Sequence, residues 1–310
     1  YGNWDDPMSL TSLLPPLLAL VLAPLLLSVI NRTKALVAGR RGQPLLQPYY
    51  DLWKLLHKGA VYSRTTTWVF RAGPLVGLSA VLIALTVIPF GNIPALLAFP
   101  GDVVFFAYLL GLLRFCTIIA ALDTGSSFEG MGASREATYA ALTEPALFLG
   151  LAAIARHTET LSLSSMFASI TSTSWSSAGP AFALLAAAFF VVFLTENARM
   201  PVDDPTTHLE LTMIHEVMVL DHSGPDFAFI LYGSALKLWV LGSLLSGMLV
   251  PVRSGVLWLD LGAAGVGLIG LAMLTGVIES SMARLRLVHI PQLLVGASVL
   301  SALALVLAVR

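Results

Sequence analysis

The sequence predicts an all-α integral membrane protein that forms a single membrane domain over residues 1–310. Its composition is 57% apolar and only 11% charged, with a mean hydropathy of +0.84, whereas soluble domains carry about 25% charged residues. Eight apolar runs are long enough to cross a hydrocarbon layer of ~30 Å. The predicted spans are residues 10–30, 73–93, 103–122, 139–155, 180–196, 228–250, 259–278 and 291–309.

The distribution of lysine and arginine predicts the orientation of these spans. Twelve of these residues follow helices 1, 3, 5 and 7, against three on the opposite side. Because positive residues remain in the cytoplasm, we expect cytoplasmic loops at 31–72, 123–138, 196–227 and 279–290, with both termini on the non-cytoplasmic side. Most acids fall in the same loops, which we interpret as one docking and coupling face. The first apolar run has acids before it and bases after it, so we expect a retained helix rather than a secretory signal.

Two connections between spans contain amphipathic segments. LLQPYYDLWKLLHK, residues 45–58, has apolar residues, two tyrosines and basic ends, which predicts an interfacial helix between helices 1 and 2. It would act as a membrane-surface anchor or as a docking platform for a soluble partner. The Ser/Thr-rich stretch 157–177 is predicted to be a surface loop with an amphipathic segment.

Redox cofactors are not expected in this chain. Cys116 is the single cysteine and lies in an apolar run, so thiolates cannot hold an iron–sulfur cluster or attach haem. His208 and His215 are seven residues apart, with Glu216 beside them, but H-E-x-x-H and a third strong ligand are absent. We therefore predict no metal site, and histidines that act as partners of the acids or as proton relays. The net charge of -1 does not create the positive potential that attracts nucleic acid, so we expect no nucleic-acid partner.

Three ionisable residues lie within predicted spans: Arg114 in LLGLLRFCTII, Glu144 in YAALTEPALFL and Lys237 in GSALKLWVLG. A charge at a helix centre costs ~3 kcal/mol on insertion scales, and such residues usually face the bundle interior or a cavity. Pro145 removes an intrahelical hydrogen bond next to Glu144, so water and side chains gain access there. We predict a buried polar path in which Glu144 handles protons. The plainer alternative is a carboxylate that pairs with Arg114 or reaches the cytoplasmic edge.

Four loops resemble the signature loops of the respiratory-chain NADH dehydrogenase subunit 1 family. They are GRRGQPLLQPYYDLWKLL (39–56), LDTGSSFEGMGASREATYAALTEP (122–145), ENARMPVDDPTTHLELTMIHEVMVLDHSG (196–224) and ESSMARLRLVHIPQLL (279–294). Within the family, they are similar to the membrane anchor of group-4 energy-converting nickel–iron hydrogenases, of the formate hydrogenlyase subunit 4 and hydrogenase-4 component C type. The resemblance covers nearly the whole chain, and its motifs follow the family order.

The resemblance implies a non-catalytic subunit of an oxidoreductase complex in a bacterial or archaeal plasma membrane. Its partners would be a hydrogenase-like large subunit, an iron–sulfur small subunit and a ferredoxin-like subunit on the cytoplasmic face, with antiporter-like subunits in the membrane. The nickel–iron centre and the iron–sulfur clusters would belong to these partners. Electron transfer would drive proton or sodium translocation through buried carboxylates.

The predicted site residues fall into two groups. The proton or ion coupling group contains Asp123, Glu129, Glu136, Glu144, Glu196, Asp203, His208, Glu210 and Glu216, with Arg114 and Lys237. The docking and structural group contains Arg40, Asp51, Arg135, Arg199, Glu279, Arg284 and Arg286.

The sequence departs from the family pattern at two places. Only Arg41 to Pro44 separate Arg40 from Leu45, so the longer first loop of quinone-reducing members is missing, which argues against a full quinone chamber. The family run E-A-E-S-E is matched by residues 206–210, which lack two of its carboxylates and place His208 at one of the positions.

Two alternative functions remain open. One is the quinone-site subunit of a respiratory complex I, which the short first loop disfavours. The other is a stand-alone secondary ion transporter with Arg114, Glu144 and Lys237 at its midplane, which predicts repeated halves that the sequence does not contain.

Overall fold

The computed structural model describes residues 10–203 and 213–309. Eight helices in this part of the chain are long and apolar enough to cross a membrane, which confirms the eight predicted spans. They are α1 (Leu14–Val37), α3 (Trp68–Val87), α4 (Asp102–Asp123), α5 (Ser127–Thr158), α7 (Ser172–Glu196), α8 (Gly224–Leu249), α9 (Leu257–Ser281) and α10 (Ile290–Val309). Two shorter helices, α2 (Gln47–Leu56) and α6 (Leu163–Ser169), lie between them, and Leu10–Leu13 and Glu216–Val219 form 3₁₀ turns.

The long helices pack in two groups. One group joins α3 to α4 and α8, and α1 to α8 and α9, while the other joins α5 to α10 and α7. The groups meet where α4 contacts α5 and where α7 contacts α8. Every intramembrane charge predicted from the sequence lies on one of these four helices, so the seam between the groups positions the site.

A proline in α1 connects three helices. Pro24 has no backbone N–H, so the carbonyl of Leu20 loses its helical donor. The hydroxyl of Tyr232, on α8, donates to that carbonyl at 2.8 Å. The hydroxyl of Tyr49, on α2, donates to the neighbouring carbonyl of Val21. Both tyrosines therefore satisfy backbone groups around the proline and hold α2 and α8 against α1.

Helix α5 is longer than predicted. It begins at Ser127, so most of the predicted loop 123–138 is helical, and the span predicted at 139–155 is only its apolar part. The segment from Glu129 to Thr138 contains no proline, and its glutamate, methionine, alanine and arginine residues favour helix against the two glycines, Gly130 and Gly132. Glu129 lies in the first turn, where a carboxylate is favourable. Hydropathy detects the apolar length of a helix and misses a polar extension of it.

The Ser/Thr-rich stretch 157–177 contains the predicted amphipathic segment as the short helix α6, whose apolar side packs inward while much of the rest of the stretch is exposed. Leu163, Met166 and Phe167 of α6 are buried. The carboxylate of Asp102 accepts hydrogen bonds from the backbone N–H of Leu163 at 2.6 Å and from Ser162 Oγ at 2.8 Å. This buried carboxylate fixes the start of α6, and α7 follows at once from Ser172.

Candidate functional site

Arg114 is the centre of a buried group of charged side chains. It lies on α4 with 9% of its side chain exposed. Nη1 donates to Glu144 of α5, and Nη2 donates to Glu196 at the end of α7. Nε lies 3.4 Å from a carboxylate oxygen of Glu136, which is also on α5. One guanidinium thus holds three carboxylates that come from two other helices. The contact between Arg114 and Glu144 is the one that the plainer alternative of the sequence analysis describes, and the proton-handling role of Glu144 stays a prediction.

Two further chains of contacts extend from this arginine. Glu196 is also paired with Lys237 of α8, whose Nζ is 3.0 Å from Oε2. Glu136 is paired with His215, whose Nε2 is 3.2 Å from Oε2, and His215 Nδ1 is 3.6 Å from Asp203 Oδ2. Asp203 is also paired with Arg284, whose Nη2 is 3.2 Å from Oδ1. The residues that these ion pairs connect form the central network. Its members are Arg114, Glu136, Glu144, Glu196, Asp203, His215, Lys237 and Arg284.

His215 carries a positive charge at neutral pH in this arrangement. Burial works to lower its pKa, but the carboxylates of Glu136 and Asp203 outweigh burial and raise the pKa to about 10. The pKa of Asp203 is lowered, because His215, two backbone N–H groups and Arg284 stabilise its charged form against the effect of burial. With His215 protonated, the central network contains four positive and four negative groups, and its charges balance.

A close approach of α5 to the loop places His215 beside Glu136. A Cβ atom on Gly132 would lie 2.9 Å from the carbonyl oxygen of Ile214 and would also collide with Val217. Only glycine leaves room for the loop backbone at that point. On the other side of the loop, Val202 and Ile214 pack against side chains of α5 and α10 in a small apolar cluster that includes Tyr139, Ile290 and Leu294.

A second buried ion cluster lies apart from the central network. Glu279, at the end of α9, is paired with Lys34 of α1 at 2.9 Å and with Arg199 at 3.3 Å. The Glu279 side chain is fully buried. These contacts connect α1, α9 and the loop after α7, and the docking or structural roles of Arg199 and Glu279 stay predictions.

Two of the predicted coupling acids lie outside the central network. Asp123 accepts hydrogen bonds from the backbone N–H groups of Thr67 and Phe70 and from the Thr67 hydroxyl, so it caps α3. Glu129 is buried and accepts from the backbone N–H of Asp221 at 3.1 Å. Both carboxylates hold backbone in place, and their coupling roles stay predictions.

The remaining predicted residues differ in exposure. Arg135 donates to the carbonyl of Met213 at 3.0 Å and holds the loop next to His215. Three residues of the docking group are exposed: Arg40, Asp51 and Arg286. Asp51 accepts a hydrogen bond from the side chain of Gln47. Glu216 lines the cavity described below. His208 and Glu210 lie outside the described residues.

A cavity of about 630 Å³ opens beside the network. Its walls are mostly apolar side chains of α1, α3, α4 and α8, including Leu27, Leu78 and Phe227. His222 also lines it, stacked on Phe70 with ring centroids 3.9 Å apart, and burial lowers the His222 pKa to about 4. The short first loop therefore does not remove a chamber of this size. Its polar end is formed by members of the central network: Arg114, Glu136, Glu196, His215 and Lys237.

The described residues contain no group of three or more His, Cys, Asp or Glu side chains that could hold a metal ion. The acids of the central network are instead paired with arginine, lysine and histidine, which compete with a metal for the same oxygens. Cys116 is buried.

Comparison with known proteins identifies the family. A family model described as NADH dehydrogenase matches residues 11–310. The chain belongs to the NADH dehydrogenase subunit 1 family. Formate hydrogenlyase subunit 4 of Escherichia coli (strain K12) is 34% identical over 292 residues, which cover 91% of this chain and 94% of that protein. Hydrogenase-4 component C of the same organism is 30% identical over 247 residues, or 80% of this chain and 77% of that protein.

A solved structure shares the fold of this subunit 1 family member. It is the membrane-bound sulfane sulfur reductase, an archaeal respiratory membrane complex, in which one chain superposes with a TM-score of 0.83 at 21% identity. The match covers 96% of this chain and 98% of that chain. The resemblance inferred from the four loops is confirmed, and the protein is a multi-pass membrane subunit of the prokaryotic respiratory-complex type.

Two members of the ion clusters are not among the predicted site residues. From the sequence, His215 is expected only to pair with acids or to relay protons, and Lys34 counts only as a loop cation. His215 has a signal, because it immediately precedes Glu216 in a loop rich in acids. Lys34 has none, since its partner Glu279 is far away in the sequence.

Proposed function

We propose that this subunit 1 family member is the membrane anchor and coupling subunit of a hydrogenase-type, complex I-like complex. It docks a peripheral arm that contains the redox centres and links electron transfer to proton or sodium translocation. The observation that carries the proposal is the central network, which runs without a break from Asp203 in the loop, through Arg114, to Glu144 on α5.

The relatives support the hydrogenase type. Two proteins of at least 30% identity over most of the chain are named as a formate hydrogenlyase subunit and a hydrogenase component. We infer partners of that kind: a hydrogenase-like large subunit, an iron–sulfur small subunit and a ferredoxin-like subunit. The nickel–iron centre and the clusters belong to these partners in the proposal, since this chain offers only Cys116 as a thiolate.

The network offers a physical means of coupling. Buried ion pairs interact strongly because the surrounding dielectric is low. Glu196 shares its two oxygens between Arg114 and Lys237, so a proton or charge added at the loop end changes which pairs are favourable at the other end. A change of charge in a docked redox subunit would shift the loop carboxylates first and Glu144 last.

Glu144 is the exit of the network in this proposal. Its side chain is 44% exposed although it lies in a membrane-spanning helix, whereas the Glu136 and Glu196 side chains are at most 10% exposed. A carboxylate exposed to lipid is unfavourable, and cover by a neighbouring subunit would remove that cost. We propose that this neighbour is an antiporter-like membrane subunit, which receives the proton or the change in charge.

The peripheral arm docks on the face formed by the loops after α1, α4, α7 and α9. Arg135 and Arg199 shape this face from within by holding the carbonyl of Met213 and the carboxylate of Glu279. Two exposed residues of the docking group, Arg40 and Arg286, remain available for direct contact with the partner. The third, Asp51, lies on α2.

The first test is purification of the complex through this chain in mild detergent. Partners are identified by mass spectrometry, nickel and iron are quantified, and hydrogen evolution is assayed. We expect nickel, iron and hydrogen activity in one complex. An iron–sulfur arm without nickel that reduces quinone would overturn the hydrogenase assignment, and recovery of the chain alone would instead favour a stand-alone transporter.

One observation favours the second candidate, a quinone-site subunit. The cavity has apolar walls and a charged end, and its volume of about 630 Å³ falls in the range of small-molecule sites. Quinone reduction by the purified complex, inhibited when Gly77 in the cavity wall is replaced by leucine, would support this function. Hydrogen evolution that is unaffected by the same substitution would separate the two candidates.

A further inference from the structure

The segment between α1 and α3 combines exposed cations with exposed aromatic side chains. Asp51 is the one acid in residues 31–72. Trp53 and Trp68 are 68% and 77% exposed. A surface with this excess of positive charge requires an anionic counterpart. Seven of the eight lysines and arginines in the segment are exposed and form no ion pair with a carboxylate in the described part of the chain; they are Arg32, Arg40, Arg41, Lys54, Lys58, Arg64 and Arg71.

Helix α2 presents three different faces. At 100° per residue, Leu52 and Leu55 point to one side, and they are half-buried where α2 packs against α1 and α8. Trp53 and Leu56 fall on one exposed flank. Lys54 falls on the other flank, beside the exposed Asp51, and Lys58 continues this flank in the turn after the helix. An apolar flank opposite a charged flank with a net positive charge suits a helix that lies in the plane of a membrane interface.

The contacts of α2 place it beside α1 rather than on its end. Ser28 donates to the carbonyl of Leu45 at 2.6 Å, and Tyr49 donates to Val21. At 1.5 Å per residue, α1 continues for about 13 Å beyond Ser28 and about 24 Å beyond Val21. The start of α2 therefore lies below the loop end of α1, at the side of the bundle. A peripheral subunit resting on the loop face would lie above this level.

We propose that α2 and the segment after it, residues 47–72, bind the headgroups of anionic phospholipids, with Lys54, Lys58 and Arg64 on the phosphates and with Trp53 and Trp68 in the interface. Clusters of lysine and arginine next to a membrane span are attracted to anionic lipid by about fivefold in affinity per cation. Tryptophan prefers the headgroup level. This lipid contact fixes the depth of α2 and is independent of the redox reaction of the complex.

The test uses the whole complex in lipid nanodiscs. One set contains phosphatidylcholine alone, and the other contains phosphatidylcholine with phosphatidylglycerol. Retained phosphatidylglycerol is counted by native mass spectrometry for the wild type, for Lys54→Gln/Lys58→Gln and for the charge-retaining control Lys54→Arg/Lys58→Arg. We expect retention by the wild type and by the arginine variant. The glutamine variant should lose about 25-fold in lipid affinity, with the subunit composition unchanged, and high salt should weaken lipid retention by the wild type.

Three results would overturn the proposal. The first is a wild type that shows no preference for phosphatidylglycerol over phosphatidylcholine, a measurement that needs no variant. The second is a glutamine variant that keeps as much phosphatidylglycerol as the arginine control. The third is a glutamine variant that loses a peripheral subunit and keeps the lipid, since the segment would then be a docking platform for a soluble partner.

Discussion

Lys237 and Glu196 form an ion pair between α8 and the end of α7, with Nζ 3.0 Å from Oε2. The other oxygen of Glu196 is bound by Arg114. Lys237 is therefore the second of two cations on one buried carboxylate. Arg114 fixes Glu136 and Glu144 as well, so Lys237 is the cation that can move without breaking the rest of the network.

Replacement of Lys237 by methionine should uncouple the complex. Removing one partner of a buried ion pair costs about 3–5 kcal/mol when nothing compensates, and Arg114 compensates in part here. We expect an assembled complex that keeps its redox rate and loses most of its redox-driven ion movement, as measured with a pH-sensitive dye in inverted vesicles. Lys237→Arg keeps the charge and should retain part of the coupling. Full coupling in the methionine variant would exclude Lys237 from the path.

Replacement of Glu144 by glutamine should leave assembly intact. The amide keeps the shape and a hydrogen-bonding oxygen for Arg114 and removes the titratable group. We expect normal subunit composition, with redox-linked ion movement reduced by about a hundredfold or more, a loss in the range that a missing proton-transfer group causes. Aspartate at the same position is the matched control, because it keeps the acid. If the glutamine variant pumps as the wild type does, Glu144 is only a partner of Arg114.

The stability of the loop after α7 should depend on alkaline pH through His215. The pKa of His215 is about 10 in the folded protein, against about 6.5 when exposed. Its contribution is therefore fully present below about pH 6.5 and is lost as the pH rises toward 10, at about 1.4 kcal/mol per pH unit. Thermal unfolding of the purified complex from about pH 7 to about pH 10 should show this loss. His215→Gln should flatten the profile, and an equal slope in the two proteins would contradict the ion pairs of His215.

Two glycines in α5 provide a matched pair of substitutions. Alanine at Gly132 would press on the backbone at Ile214, next to His215, whereas alanine at Gly130 meets no atom within 4 Å. We expect Gly132→Ala to destabilise the protein by about 1–3 kcal/mol and to reduce coupling. Gly130→Ala should be neutral or more stable by up to about 1 kcal/mol, since alanine favours helix. Thermal unfolding and ion movement, measured on both variants, would reject the close-approach argument if the two behave alike.

Replacement of Arg199 or Arg135 by alanine should weaken docking of the peripheral arm. Loss of Arg199 leaves the buried Glu279 with only Lys34, and loss of Arg135 releases the carbonyl of Met213. We expect partial loss of peripheral subunits during purification, measured by quantitative mass spectrometry, with the membrane part retained. Arg156→Ala is the control: this exposed arginine lies in the last turn of α5, outside the predicted docking group, and its loss should leave the peripheral subunits bound. A stable and fully coupled complex from both variants would count against this role.

The sequence predicted the spans well, because a membrane-spanning helix requires an uninterrupted run of about 20 apolar residues that can be read directly from the sequence. It predicted the polar start of α5 poorly, since residues from Glu129 to Thr138 are helical for reasons that hydropathy does not measure. It identified Arg114, Glu144 and Lys237 as unusual, because charges within apolar runs are costly. Which of them touch could not be predicted, because the contacts depend on helix packing.

The family pattern identified candidate site residues, but it did not predict which groups each of them contacts. Asp123 and Glu129 match the pattern, and the structure has them on backbone amides of α3 and of the loop before α8. Glu279 and Lys34 lie on helices at opposite ends of the chain, and no periodicity or spacing connects them. Such pairs are consequences of tertiary packing.

Pro24 lies at the point where α1 is bound to two other helices. A regular helix would have satisfied the carbonyl of Leu20 and left the hydroxyl of Tyr232, on α8, without this acceptor. The missing N–H instead makes Leu20 available to Tyr232, and Tyr49 reaches the adjacent turn. Polar contacts cannot be replaced by lipid tails, so these two hydroxyls hold α8 and α2 next to α1. A residue that weakens one helix thereby fixes the arrangement of three.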